Sequence, residues 1–172
     1  MSDTTIIHLD VYLNSILDKI YANQNICKYL YYDVENPLSY PDLADTSILF
    51  TDEDNRKIFT TPFSIDNADI QKSTLTIVVS DANVVPDNVY FKDFKVEFYV
   101  ISNVRLWELE ASSTRYTALR TNAIVHELSL LFCRTRTIGM GSNQFSYIER
   151  FYPNQWFAGY IYCVHGIDFV TS

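Results

Sequence analysis

The stretch Tyr90-Phe91-Lys92-Asp93-Phe94-Lys95-Val96-Glu97-Phe98-Tyr99-Val100-Ile101-Ser102-Asn103, with its continuation to Phe132, decides how the chain is read. Phe94, Val96, Phe98 and Val100 are apolar, and Asp93, Lys95, Glu97 and Tyr99 between them are mostly polar. A period of two is the pattern of a strand with one buried and one wet face. After Asn103 the period changes. Ser112 and Ser113 are favourable N-cap types. Beyond them Thr117, Thr121, Ile124, Leu128 and Leu131 recur at spacings of three and four, with Val125 and Phe132 widening the stripe. The segment predicts a strand, a corner carrying Trp107, and a helix that lies back across the sheet.

Outward from that segment the same reading continues. Ile6, Leu9, Leu13, Ile16, Leu17 and Ile20 fall on one side of a helix capped by Asp3, Thr4 or Thr5 and ending near Asn23. Ile26 to Leu30 adds a further turn or two of helix. Lys57 to Phe63 reads as a short strand or arm stopped at Thr61-Pro62. Ser73 to Ser80 alternates and is a strand, with Asp81-Ala82-Asn83 and Pro86-Asp87-Asn88 punctuating the link to the next one. A link this short cannot hold a helical crossover, so the two strands are expected to be antiparallel neighbours. Arg134 to Ser142, with Gly139 and Gly141, reads as a loop. Gln144 to Phe151 reads as a strand, and Trp156 to Val164, apolar on both sides, as a central one. His165-Gly166 is expected to break it, with Ile167 to Val170 as an edge strand. The fold class is α+β: an N-terminal amphipathic helix, a mostly antiparallel sheet crossed by a second long helix, and a final strand pair. One domain spanning residues 1–172 is expected, with an acidic loop or arm at about 33–60.

Composition limits the function classes. Net charge is −8 and the pI about 4.7, which argues against gripping nucleic acid by its phosphates. The 13 Tyr and 11 Phe suit either aromatic β-structure or a large interface. Cys27, Cys133 and Cys163 are odd in number and widely spaced, so buried free thiols in a reducing compartment are expected. Polar Ser2 to Thr5 gives no sign of a signal peptide, and no apolar run approaches the ~20 residues of a membrane span. Synthesis in the cytoplasm and no membrane association are expected.

No motif completes a reaction centre. His126-Glu127 lacks the second His of a zinc protease, Gly139-Met140-Gly141 completes no dinucleotide loop, and neither a P-loop nor a nucleophile elbow occurs. Cys163, His165 and Asp168 lie close in sequence, but two ligands sharing a strand face do not make a metal site of three or four. The reading is of a chain that is not an enzyme and takes no cofactor or metal; a small ligand-binding or catalytic domain built on those three residues is the alternative. Arg105, Arg115, Arg120, Arg134 and Arg136 are the basic concentration, set against an acidic front segment. Asp33 to Asp54 carries seven acids and no Lys or Arg. It is read either as a solvated loop or as a docking surface. Within and just after it, Tyr40, Leu43, Ile48, Leu49 and Phe50 are apolar groups that a lone monomer is expected to hold poorly. With Asp52, Glu53, Asp54, Arg56 and Lys57 they form the candidate contact with a neighbouring subunit, ordered on assembly.

This order of elements resembles the tail terminator, tail completion and head–tail joining proteins of tailed bacteriophages. The matching segments are the helix Ile6 to Tyr21, the Asn36-Pro37-Leu38 loop, the Thr61-Pro62-Phe63 arm, and the strand Phe91 to Ile101 followed by Trp107. The helix containing Arg115 and Arg120 and the stretch Gln155-Trp156-Phe157-Ala158-Gly159-Tyr160 complete the match. The Arg-Pro start of that helix in some relatives is absent, since Tyr116 follows Arg115. The resemblance implies a virion protein forming a ring, commonly a hexamer, at the neck or tail top. Its partners would be itself, adjacent neck, connector or tail-tube proteins, and DNA passing through without sequence-specific binding. It implies no enzymatic activity and no cofactor. A baseplate or decoration protein is the remaining virion alternative.

Overall fold

The computed structural model describes residues 3–61, 72–84, 92–110, 119–133 and 142–167. In chain order these form α1 (Asp3–Ala22), α2 (Gln24–Tyr31), a 3-10 turn at Pro37–Ser39, and the single helical turn α3 (Ile48–Thr51). Then follow β1 (Ile58–Phe59), β2 (Ser73–Val84), β3 (Lys92–Asn103), a second 3-10 turn at Val104–Leu106, α4 (Arg120–Phe132), β4 (Ser142–Asn154) and β5 (Phe157–Ile167). The sheet order is β1-β2-β3-β5-β4. β1 runs parallel to β2, and the other pairs are antiparallel. This is the α+β architecture read from the sequence, with β2 and β3 neighbours as expected.

The alternation in β3 sets the core. Val96, Phe98 and Val100 are buried, beside Leu75 and Ile77 of β2 and Tyr162 and Val164 of β5. The helices cover that face: Ile16, Leu17 and Ile20 of α1, Ile26, Cys27 and Leu30 of α2, and Ile124, Leu128 and Phe132 of α4 join the same cluster. Leu13 and Leu131 pack at its margin. Phe98 stacks on Phe132 with ring centroids 5.2 Å apart. β3 and β5 approach closely at Gly159, which pairs with Ile101. A Cβ built on Gly159 would lie 1.8 Å from the Val100 carbonyl oxygen, so any side chain there must push the strands apart.

Several boundaries differ from the sequence reading. α4 begins at Arg120; Ser112, Ser113, Arg115 and Thr117 lie outside the described residues. Its first turn is fixed otherwise. Leu119 is extended and bridges Glu108, the Arg120 N–H donates to the Trp107 carbonyl at 2.8 Å, and the Trp107 indole donates to Thr121 Oγ1 at 2.9 Å. Asp81 to Asn83 is no turn: β2 runs through it, with an irregularity between Ser80 and Asn83. His165-Gly166 breaks nothing, because Gly166 is paired on both sides, with Phe94 and Asn143. The strand that flanks β5 on the side away from β3 is β4, and Ile167 is the last residue of β5 itself; the rest of the expected edge strand, Asp168 to Val170, lies outside the described residues. β5 is flanked by strands on both sides as read, but Trp156 sits in the turn before it and is exposed. Among the described residues of the expected Lys57–Phe63 strand, Ile58 and Phe59 are the ones paired; Pro62 and Phe63 lie outside the described residues, as do Gly139 and Gly141.

Candidate functional site

The segment after α2 was the candidate contact surface, and the structure corrects the premise behind it. Leu43 and Leu49 are buried in the monomer's own core, with Ile48 and Phe50 packed against it. Three polar fastenings hold the segment down. The Gln24 side chain donates to the Leu43 carbonyl at 3.1 Å and accepts from the Leu43 N–H at 3.0 Å. Lys28 Nζ lies 2.7 Å from Asp42. Lys57 Nζ lies 3.1 Å from Asp33.

Arg56 sits over two rings, 5.1 Å from the Phe50 centroid and 4.9 Å from that of Phe59, so its charge is spent inside the segment. Asp52 accepts from the Asp54 N–H at 2.9 Å and from Asn55 Nδ2 at 3.0 Å. These hydrogen bonds, the Asn55 side chain first, hold its carboxyl below the usual range. Tyr40 stays exposed, tilted on Tyr32 at 4.8 Å. Glu53 and Asp54 face solvent. The apolar groups were visible in the sequence but their destination was not, because only the folded chain brings Leu43, Ile48, Leu49 and Phe50 to one core.

What fastens the start of the segment is Arg120, which the sequence reading assigned to a basic surface. It is fully buried. Its guanidinium donates to the carbonyls of Leu106 (2.9 Å), Tyr29 (2.7 Å) and Tyr32 (2.9 Å), and to that of Val34. Tyr29, Tyr32 and Val34 mark the end of α2, where carbonyls lack helical partners and the helix dipole favours a cation. Burial lowers its pKa, and Asp33 and Tyr29 oppose the shift. The signal was in the spacing: Arg120, Ile124 and Leu128 stand four apart, on the buried stripe. With Arg120 inside, the basic helix surface loses a member; Arg115, Arg134 and Arg136 lie outside the described residues.

Asp33 sits beside this clamp. Burial raises its pKa, and Lys57, Arg120 and Lys72 pull against that shift. On the sheet face away from the helices, Glu97 accepts from Tyr147 Oη at 2.5 Å and Tyr99 Oη at 3.0 Å. The hydrogen bond to Glu97, then burial, raises the Tyr147 pKa. Cys163 is fully buried in the same register row, and burial raises its thiol pKa. This is a structural network, with a buried thiol held protonated rather than readied as a nucleophile. His165 is half-buried in the adjacent Lys95 row, and Asp168 lies outside the described residues. Among the described residues no three His, Cys, Asp or Glu side chains are grouped to hold a metal. All three cysteines are free, and no described helix is long and apolar enough to cross a membrane.

The opposite end of the sheet carries exposed apolar side chains. On β4, Phe145 is 53% exposed, Ile148 48% and Tyr152 58%. Leu130 of α4 and Trp156 of the turn are exposed as well.

No curated protein and no solved structure matches the chain. A family model described as YomW matches residues 23–164, from the cap of α2 to the middle of β5. The family name derives from an SPβ-like prophage, which points to a phage origin. The chain belongs to the YomW family.

Proposed function

We propose that the chain is a structural protein of a tailed-phage virion, assembling into a ring, a hexamer in the simplest case, at the neck or the top of the tail in a tail terminator or head–tail joining role. The phage-linked family match over residues 23–164 is the observation that carries this reading. It gains support from the order of elements: a leading amphipathic helix, a mostly antiparallel sheet, a helix packed across it and a closing hairpin. In this reading the ring's partners are further copies of the chain and the adjacent connector, neck or tail-tube proteins. DNA passes through the lumen without adhering, since a chain of net charge −8 repels phosphate. No residue is assigned a catalytic role and no cofactor is needed.

Native mass spectrometry of the purified protein, paired with peptide mapping of purified virions, tests the proposal. A closed oligomer of one stoichiometry and the chain's presence in intact particles are expected. A protein that stays monomeric at all concentrations and is missing from particles overturns it.

A further inference from the structure

β4 ends the sheet, and among the described residues no backbone group bonds to its outer side. Two irregularities interrupt its pairing with β5, at Phe145/Tyr147 and at Phe151/Asn154. Between them lies a regular window, in which Tyr147, Ile148, Glu149, Arg150 and Phe151 pair in turn with Cys163, Tyr162, Ile161, Tyr160 and Gly159. Within it Ile148 and Arg150 point to the helix side, in register with Tyr162 and Tyr160, while Tyr147, Glu149 and Phe151 point to the other. Ile148, Glu149 and Arg150 are all exposed, and among the described residues neither charge has an ion-pair partner. An edge strand bearing apolar side chains and unpaired ladder groups is a template for another strand.

We propose that the Tyr147–Phe151 edge takes up an extended segment of a partner protein, antiparallel to β4, that reads acid–base–apolar. The charges set this pattern: the acid stands opposite Arg150, the base opposite Glu149 and the apolar residue opposite Ile148. The bulges set its length, because a straight partner strand loses register beyond the window. A second copy of the chain fits less well. In a two-fold β4–β4 pair opposite residues share a face, so Glu149 never stands opposite Arg150. Centring on residue 149 or 150 sets like charges opposite each other. Centring on Ile148 sets Glu149 against Tyr147 and Arg150 against Ser146, leaving both charges without an ion pair. The inference stands independently of the ring reading.

The test is fluorescence anisotropy with a labelled nonapeptide, Thr-Thr-Thr-Asp-Arg-Val-Tyr-Thr-Thr, and its counterpart with Asp and Arg exchanged. The first peptide is expected to bind roughly tenfold more tightly, since two cross-strand charge pairs change sign. The double variant Glu149→Arg/Arg150→Glu, whose altered side chains are both exposed, is expected to reverse that preference. Equal binding of the two peptides, or no binding of either at millimolar concentration, overturns the proposal. Dimerisation abolished by Ile148→Lys also overturns it, and assigns the edge to a second copy.

Discussion

The two ends of the sheet are finished in opposite ways. At the β1 end an irregular, acidic segment covers the structure, and it is tied down by a buried arginine, a reciprocal glutamine and two ion pairs. At the β4 end a long strand, regular between its two bulges, leaves Phe145, Ile148 and Tyr152 in solvent. Regularity therefore says little about which part of the chain is spare. A loop rich in acids becomes core when three or four of its apolar groups reach the same cluster and its backbone finds donors. A well-patterned strand stays open when it is the last in the ladder.

The sharpest way to break this comparison is to cut the clamp at the β1 end. Arg120→Ala leaves the buried carbonyls of Leu106 and Tyr29 and the part-buried ones of Tyr32 and Val34 without their donor. A loss of about 3–5 kcal/mol in urea denaturation is expected, as for other buried charged groups whose network is broken. Arg120→Lys is expected to recover only part, since an ammonium cannot span the fork of acceptors. A loss below ~1 kcal/mol for the alanine variant would mean that these carbonyls find water, and that the segment is held by its apolar groups alone.

Next in size is Leu49→Ala. Leu49 is as fully buried as Leu128, so both truncations are expected to cost about 2–5 kcal/mol. Amide exchange sharpens the point. The Lys57 N–H, bonded to the Leu49 carbonyl at 2.8 Å, and the Leu75 N–H, bonded to the Lys57 carbonyl at 2.8 Å, are expected to exchange slowly in the free protein. Exchange of both at the rate of an unstructured chain would return the segment to the status of a loose arm.

Much of the fold was legible because its signals are local. The alternation through Val96, Phe98 and Val100 named the core face of β3, and the spacing of Ile16, Leu17 and Ile20 named that of α1. The start of α4 was not legible: the Trp107 carbonyl and the Glu108–Leu119 bridge, both tertiary, fix it where side-chain capping would have placed it earlier. Gly166 read as a breaker because its two ladder partners, Phe94 and Asn143, lie far away in sequence. For the candidate site the failure has the same root. The charges of Arg120, Arg56 and Lys57 read as surface, and each is satisfied by groups that only the folded chain brings near.

A smaller effect should appear in the pH dependence of the clamp. Burial, opposed by Lys57, leaves the folded-state pKa of Asp33 above its ordinary value. The folded state thus binds a proton here more readily than the unfolded chain, and stability from this group falls as pH rises through the raised pKa. Urea midpoints measured from about pH 4 to about pH 7 should show that decline in the wild type and a flatter profile in Asp33→Asn. A difference between the two that grows in favour of the wild type with rising pH would mean that Lys57 outweighs burial.

The smallest stability effect belongs to the open edge. Ile148→Thr removes an apolar side chain that is 48% exposed and keeps the β-branched shape that strands favour. Little is lost from the core, because the side chain lies outside the cluster that the helices cover. A change within about 0.5 kcal/mol in the urea midpoint is expected, as for other surface positions. The contrast with Leu49→Ala is the informative quantity: a residue in a well-formed strand should matter less than one in an irregular acidic segment. If Ile148→Thr instead costs as much as Leu49→Ala in dilute monomer, the edge is already covered in the free protein. The two ends of the sheet would then be equally closed, and the difference drawn between them would fail.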